Sequence, residues 1–311
     1  MKCTPQKKWA FLLTLLACPP IFAADSTRTG VGADVFFSTD SENFHTQRIG
    51  GEYLPLFQHI DSQTGVRYSH YTYEQNDWSR SGQQISVLHR NIDPKTAYGW
   101  QMEAGIFQQH SRDLLTLDGS FRTPIAKQTN IEFFINRNWV ETANALDNGI
   151  NFTYGGASIE QGLGQHVTLV GLAGYQDFSD GNHRNHGRVR FIYQPDLNLG
   201  LTLQAQYRVY TSAREDVDGA YFNPDRYDEG MLLIGWRQRI LGWMANARAG
   251  IGRQKVEDDD LSPTKLLEVS VQNGTKDNYG LRLRGGYSQS ASFHGPDYRY
   301  KYVQAEWVMG F

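Results

Sequence analysis

The chain has 311 residues, of which 20% are charged and 13% aromatic, and its formal net charge is −3. A nucleic-acid-binding protein needs a basic surface, so this balance argues against that class. The mean hydropathy is −0.54, as expected when apolar residues alternate with polar ones instead of running together. The composition therefore excludes a helix-bundle membrane protein and favours strands with one apolar face.

Residues 1–23 have the pattern of a cleaved signal peptide. Three lysines form a positive start, residues 9–17 form an apolar core too short to span a bilayer, and Ala23 ends the cleavage site. An alternative is a lipoprotein leader in which Cys18 is acylated. Both cysteines of the chain, Cys3 and Cys18, lie in this leader, so under the first interpretation the exported protein has no thiol. Without the three lysines, 27 basic residues face 33 acidic ones, a net charge of −6.

Sixteen segments of alternating polarity, bounded by Gly, Asn, Asp or Pro, follow the leader. Their predicted spans are 30–38, 46–57, 64–74, 82–91, 97–108, 112–123, 128–140, 148–158, 166–176, 186–195, 199–211, 229–239, 243–255, 265–273, 278–289 and 299–311. In the fifth, Trp100, Met102 and Ile106 lie on one face, with Gln101 and Glu103 on the other. The predicted fold class is all-β, a single transmembrane antiparallel β-barrel of about 16 strands of the outer-membrane type, formed by residues 24–311.

The connections between these segments are expected to alternate in length. In an outer-membrane barrel with an even number of strands, short periplasmic turns alternate with longer external loops. The candidate short connections are 93–95, 124–126, 195–198, 241–242 and 273–274, and the candidate long ones are 39–46, 177–185, 212–228, 256–264 and 290–298. We expect the longest connection, 212–228, to be able to fold inward and narrow the pore.

The polar face of the strands is expected to line an aqueous lumen, because sixteen strands enclose more space than side chains fill. This face is rich in arginine, amides and aromatic rings, which suit saccharide binding through multiple hydrogen bonds and stacking. The lumen and glycan-contacting candidates are Arg67, Arg90, Glu103, Glu132, Arg188, Arg190, Gln204, Arg208, Tyr210, Arg237, Arg248, Arg282 and Arg284. The alternative is that these residues simply pair with one another across strands.

Histidines and acids near the external loops are weaker candidates for chemistry. His183 and His186 share one hairpin, and Asp259 lies in an acidic run in another. A three-residue histidine spacing without a placed carboxylate or cysteine is poor support for a metal site, and no arrangement of Ser, His and Asp stands out. We therefore expect no catalytic residues, no metal and no cofactor, with a rim hydrolase as the alternative to a non-enzyme.

Two loop motifs resemble a known family. Asp177–Arg184 (DFSDGNHR) and Tyr221–Tyr227 (YFNPDRY) are similar to segments in the membrane barrel of the PgaA-like poly-β-1,6-N-acetylglucosamine export porins. The resemblance implies a porin-type conduit for exopolysaccharide export, with a saccharide polymer as partner. Members of that family carry tetratricopeptide repeats before the barrel, whereas only 24–29 precede the first predicted strand here. We therefore expect a separate periplasmic repeat protein or glycan-modifying enzyme as a partner.

The C-terminal strand resembles the recognition signal of bacterial outer-membrane barrels. Its apolar face consists of Val303, Ala305, Trp307, Met309 and Phe311. The resemblance implies the bacterial outer membrane as the location, with its lipid, its lipopolysaccharide and the barrel assembly machinery as partners. We expect deletion of Phe311 to impair insertion, and replacement of Glu306 on the polar face to be tolerated.

Two functions remain open at this point. The arginine-rich polar face fits a neutral or anionic glycan better than a cationic one, which favours a conduit for exopolysaccharide or oligosaccharide. The alternative is a surface-displayed barrel that acts as a receptor or structural outer-membrane protein, or a general diffusion porin. A closed pore with loop-dependent binding would indicate a receptor.

Overall fold

A computed structural model describes residues 28–214, 216–273, 278–292 and 295–311; the predicted signal peptide lies outside them. The described chain forms a closed barrel in which each strand is antiparallel to its sequence neighbours and the first strand pairs with the last. The prediction of a single sixteen-stranded antiparallel barrel is confirmed. Among the described residues, no helix is long and apolar enough to cross a bilayer.

The strands follow one another around the barrel in chain order. They are β1 (Arg28–Asp40), β2 (Phe44–His59), β3 (Ser62–Gln75), β4 (Trp78–Ile92), β5 (Gly99–Gln109), β6 (Arg112–Ala126), β7 (Thr129–Trp139), β8 (Asn151–Gly162), β9 (Val167–Phe178), β10 (His183–Tyr193), β11 (Leu201–Ser212), β12 (Arg226–Ile240), β13 (Trp243–Val256), β14 (Ser262–Gln272), β15 (Tyr279–Ser292) and β16 (Gly295–Gly310). One short helix, α1 (Ala143–Asn148), lies between β7 and β8. Most strands are longer than predicted, because a strand tilted by about 35–45° needs extra residues to cross the bilayer.

The two faces of the sheet differ as the alternation predicts. On β4, Ser86 is 2% exposed, while its neighbours Ile85 and Val87 are 66% and 60% exposed. On β12, Leu232 is 68% exposed and Leu233 only 3%. The outward face is thus apolar and the closed ladder leaves no unpaired strand edge, which are the two requirements for residence in a bilayer. The aromatic residues Trp100, Tyr207 and Trp307 are also exposed on the outward face.

The connections alternate between the two ends of the barrel as predicted, but the external connections are not always longer than the periplasmic ones. The end that holds the start of β1 and the end of β16 is periplasmic by the usual arrangement of such barrels. At this end the connections 93–98, 194–200 and 273–278 are longer than expected. At the external end, 76–77 and 110–111 are two-residue turns. The longest connections, 140–150 and 213–225, are both external.

Part of the barrel interior is packed with side chains instead of water. Near the periplasmic end, Leu54, Phe57, Ile60, Leu88 and Val308 form one buried cluster from β2, the turn after it, β4 and β16. Near the external end, a second cluster of inward-facing aromatic and aliphatic residues lies against β2, β3, β5 and β6. The lumen is therefore narrower along β1–β5 and β16 than the strand count alone suggests.

The outward face yields a test of the membrane assignment. Leu232 lies near the middle of β12 and faces outward, so Leu232→Arg is expected to destabilise the barrel by about 2–4 kcal/mol in lipid. Urea unfolding in lipid vesicles measures the change, and Leu232→Ala separates the effect of charge from that of lost volume. Equal stability of the arginine and alanine variants would contradict a lipid-facing position.

Candidate functional site in the barrel lumen

The lumen has two chemically different walls. We define the paired wall as the inward face of β1–β5, β15 and β16, and the basic wall as the inward face of β8–β13. On the paired wall each buried arginine described below lies against an acid. On the basic wall several arginines have no acidic partner among the described residues, and aromatic rings lie beside them.

Arg67 is the centre of one ion cluster on the paired wall. Its guanidinium donates to Glu52 at 2.6 and 2.8 Å and to Glu103 at 2.5 Å, and lies 3.7 Å from Asp34. Arg48 donates to the other oxygen of Asp34 at 2.7 and 3.0 Å. Since these carboxylates are taken out of water, they depend on the two guanidinium groups for stability.

Gly50 makes room for this cluster. A Cβ atom at residue 50 would collide with Asp34 Oδ1 and lie 2.9 Å from Ser69 Oγ. Because Gly50 of β2 has no side chain, the carboxylate of Asp34 on β1 can lie against the neighbouring strand. Arg48 and Arg67 contact it there.

Glu306 is the centre of a second ion cluster closer to the periplasmic end. It accepts hydrogen bonds from Arg90 at 2.8 Å and from Arg282 at 2.9 Å, and Arg282 also donates to Asp61 at 2.5 Å. The interaction connects β4, β15, β16 and the turn after β2. Glu306 is only 5% exposed, so the expectation that it can be replaced freely is contradicted by its surroundings.

The basic wall contains a circumferential row of rings, which we call the aromatic row. It consists of Tyr154 on β8, His186 on β10, Tyr210 on β11 and Tyr227 on β12, and successive ring centroids lie 4.9, 5.4 and 4.9 Å apart. Gly174 on β9 lets the row cross that strand, because the Tyr154 ring lies 2.7 Å from where its Cβ would be.

Arginines lie above and below the aromatic row. The Arg184 guanidinium is 4.8 Å from the Tyr210 ring centroid, and that of Arg208 is 5.2 Å from the Tyr227 ring. Arg208 also forms an ion pair with Glu229 at 3.0 Å. Such cation–π contacts fix the guanidinium planes while leaving part of their hydrogen-bonding capacity free.

Open space lies next to both walls. A cavity of about 310 Å³ is lined by residues from β1–β7, β15 and β16, including Arg67, Glu103 and Arg284. A second, of about 470 Å³, lies against the basic wall beside Glu132, Tyr154, Arg188 and Arg208. A third, of about 530 Å³, is lined by Gln204, Arg237, Arg248 and Arg284. The second and third cavities both border the basic wall.

The external mouth is crossed by residues 140–150, which we call the bridge. At one end Leu146 is fully buried among inward residues from the external ends of β2, β3, β5 and β6. Asp147 accepts a hydrogen bond from Trp78 at 3.0 Å and pairs with Arg80 at 2.7 Å. Within the bridge, Thr142 caps the start of α1, and Gly149, in the left-handed conformation with φ 68°, ends it.

The other end of the bridge contacts the opposite side of the barrel. The Thr142 hydroxyl donates to the carbonyl of Ala220, and the Asn144 side chain donates to the carbonyl of Asp218 at 3.0 Å. These carbonyls belong to the 213–225 connection between β11 and β12, eight strands away from β3 and β4. The expected inward fold of this long connection is therefore observed, with the bridge as its partner.

Tyr221 holds the connection in place. It stacks on Phe178 with ring centroids 4.5 Å apart, and its hydroxyl donates to Asp180 at 2.8 Å. Burial raises the pKa of this hydroxyl, so it remains a protonated donor. Both Asp180 and Tyr221 belong to the two loop motifs of the sequence.

The structure separates the predicted lumen residues into two groups. Those engaged in buried ion clusters are Arg67, Arg90, Glu103 and Arg282. Those on or next to the basic wall cavities are Glu132, Arg188, Arg190, Gln204, Arg208, Tyr210, Arg237, Arg248 and Arg284. Of the second group, Arg208 pairs with Glu229 and Arg248 pairs with Glu268. Contact with a glycan stays a prediction for all of them.

Several residues of the site were missed by sequence reasoning. The acids that neutralise the paired wall include Asp34, Glu52 and Asp61, and the aromatic row includes Tyr154 and Tyr227. The alternation of β1 and β2 already places Asp34 and Glu52 on the polar face, so that signal was present in the sequence. The aromatic row depends on the register of four strands, which one segment does not reveal.

The rim histidines have structural partners. His183 lies 5.6 Å from the Tyr175 ring, and His186 shares a hydrogen bond of 3.1 Å with Gln176. Asp259 lies in the connection between β13 and β14, three strands from β10. No group of three or more potential metal ligands occurs within the ranges that the structure describes.

One comparison with solved structures supports the fold. No protein-family profile matches the chain, and no curated protein matches its sequence. A solved structure described as a bacterial polysaccharide outer membrane secretin is 12% identical, with a TM-score of 0.68 over 92% of this chain and 100% of that one. OpdQ of Pseudomonas aeruginosa is also 12% identical, with a TM-score of 0.43 over 92% of this chain and 99% of that one. The chain thus has the fold of an outer-membrane β-barrel.

The Glu306 cluster yields a stability prediction. Glu306→Gln leaves Arg90 and Arg282 without their shared carboxylate in a buried place, which is expected to cost about 3 kcal/mol of unfolding free energy. A matched control is Glu160→Gln, because the Arg122–Glu160 pair is about one third exposed and its loss is expected to cost less than about 1 kcal/mol. Urea unfolding in lipid vesicles compares the two, and equal small losses would refute the structural role of Glu306.

Proposed function

We propose that the protein is a porin-type conduit of the bacterial outer membrane that passes a saccharide chain, either an exopolysaccharide or an oligosaccharide. The observation that carries the proposal is the aromatic row on the basic wall, with arginines on both sides of it. Rings stack on the apolar faces of sugars, and guanidinium and amide groups bind their hydroxyls. Many weak contacts of this kind let a chain move, whereas one tight site would hold it.

The fold comparison supports the substrate class. The neighbour with the higher TM-score is described as a polysaccharide secretin, and the two loop motifs resemble exopolysaccharide export porins. A separate periplasmic repeat protein or glycan-modifying enzyme would deliver the chain to the barrel, and lipid, lipopolysaccharide and the assembly machinery would be its membrane partners. In this proposal, Val303, Ala305, Trp307, Met309 and Phe311 form the assembly signal.

A receptor or structural barrel is the second candidate, and the bridge favours it. Residues 140–150 and the 213–225 connection join across the external mouth, which gives the outer surface a continuous loop platform. A conduit requires that this crossing leave a passage or open. A receptor requires only that the loops be presented, so pore conductance separates the two functions.

Glycan block of the pore tests the conduit. In planar bilayers, neutral and acidic oligosaccharides are expected to interrupt the current reversibly. Tyr210→Ala removes a ring from the aromatic row, and the concentration for half block is expected to rise several-fold, since a ring contact contributes about 0.5–1.5 kcal/mol. Tyr207→Ala, an outward-facing change on the same strand, is the control. A conducting channel that ignores every glycan would refute the saccharide conduit.

Removal of the bridge tests how the mouth behaves. Replacing residues 142–149 with a flexible Gly/Ser linker deletes α1 and its contacts with Trp78, Arg80 and Ala220. Single-channel conductance is expected to rise because the crossing is lost. If neither this variant nor the wild type conducts while both fold, shown by heat-dependent electrophoretic mobility, the barrel is closed and the receptor function gains support.

A further inference from the structure

One strand of the basic wall has an unusual run of cationic side chains. The successive inward positions of β10 are Arg184, His186, Arg188 and Arg190. Inward positions on a strand are two residues apart, so neighbouring Cα atoms of the run are about 6.6 Å apart. We call Arg184, Arg188 and Arg190 the arginine ladder. It begins with Arg184 on the external side of the aromatic row and continues past the row with Arg188 and Arg190 toward the periplasmic half of the lumen.

The neighbouring strands do not neutralise the ladder. Arg188 lies opposite Arg208 of β11 on one side and Leu172 of β9 on the other. A direct cross-strand pair of like charges is unfavourable by itself. Of these two arginines, Arg208 has an ion pair, with Glu229. Arg188 has none with any residue that the structure describes, although Glu132 borders the same cavity.

Arg190 and Arg184 also lack acidic partners in the described part of the chain. Arg190 lies opposite Val170 and Gln206, and its Nε atom is buried without a hydrogen bond. Arg184 donates only to neutral groups, which are the carbonyl of Phe222 at 2.8 Å and the side chains of Ser212 and Asn223. The ladder therefore presents positive charge to the lumen without an ion pair among the described residues.

The paired wall shows that this arrangement is not a general feature of the lumen. There, Arg48, Arg67, Arg90 and Arg282 each contact at least one carboxylate within 3 Å. The exception is Arg284 of β15, which borders the cavity shared with the basic wall and has no ion pair among the described residues. A purely structural role for the ladder predicts the same pattern of acids on β9 and β11. In the described strands β9 and β11, no acid occupies an inward position. The unpaired arginines therefore lower the stability of the barrel, and a bound anion would offset that cost.

We propose that the arginine ladder binds the acidic groups of the saccharide chain, with the aromatic row stacking on its rings. This inference rests on the proposed conduit and names its substrate class as a polyanionic glycan. Guanidinium groups donate planar, two-point hydrogen bonds to carboxylates and sulfate esters. A chain that carries such groups along its length moves as each acidic group leaves one arginine and binds the next.

The experiment uses the full-length protein in planar bilayers with three probes of equal length: a carboxylated oligogalacturonide, a sulfated dextran oligomer and neutral dextran. The wild type is expected to be anion-selective in a KCl gradient and to be blocked by an acidic probe at a concentration at least about tenfold lower than by dextran, as charge-assisted hydrogen bonds would give. Higher salt should reduce this difference. The better of the two acidic probes identifies the acidic group.

The ladder variant is Arg188→Gln with Arg190→Gln. For this variant, the concentration of the acidic probe needed for block is expected to rise about tenfold, while the concentration of dextran needed for block stays the same. The control, Arg253→Gln with Arg299→Gln, removes the same charge from two exposed arginines at the external ends of β13 and β16 and should behave as wild type. Arg188→Lys with Arg190→Lys keeps the charge without the two-point geometry, and is expected to keep anion selectivity but lose part of the acidic block.

The outcomes separate this inference from the proposed function. If the channel conducts and all three probes block it equally, or if the glutamine variant blocks like wild type, the ladder does not select anions and the inference is overturned, while the conduit stands. If no probe blocks a conducting wild type, the conduit itself fails. Heat-dependent electrophoretic mobility shows that each variant is folded, and the lysine variant provides the comparison if the glutamine pair does not fold.

Discussion

The pairing of β1 with β16 is the constraint on which the rest of the structure depends. It runs from Gly30 opposite Gly310 to Asp40 opposite Tyr300. An open edge in hydrocarbon would leave backbone groups unpaired, at a cost of several kcal/mol each, so an alternating sequence can stay in a bilayer only when the sheet closes. Closure also fixes the register, and a shift by one residue would turn every polar side chain toward lipid.

This register creates an electrostatic problem that the paired wall solves. It places Asp34 directly opposite Glu306, both inward and both buried. Two carboxylates so close in a place of low dielectric need cations on both sides, and Arg48, Arg67, Arg90 and Arg282 from four other strands supply them. The clusters therefore connect the closing strands to β2, β3, β4 and β15, and they fill lumen that would otherwise hold water.

The sequence allowed the fold to be predicted almost completely, because each strand carries its own alternation and turn residues. The predicted polar face also agrees with the inward positions. The sequence could not show which side chains pair across strands. Arg67 and Arg188 occupy similar polar positions in their segments. In the structure, however, Arg67 contacts three acids, whereas Arg188 lies opposite another arginine. Nor could it show that the bridge spans the mouth, since that depends on contacts between connections far apart in the chain, such as Thr142 with Ala220.

The division of the lumen into two walls has a mechanical consequence for transport. The paired wall is dense and neutralised, so it holds the barrel in shape but offers a passing molecule few free hydrogen-bonding groups. The basic wall has the opposite properties, since its rings and arginines border the two larger cavities. In the proposed conduit, a saccharide chain would therefore move along the basic wall, where β10 carries the arginine ladder. The unpaired arginines reduce the stability of the barrel. This loss is tolerable because the closed backbone hydrogen bonding and the ion clusters of the paired wall stabilise the sheet independently of these arginines.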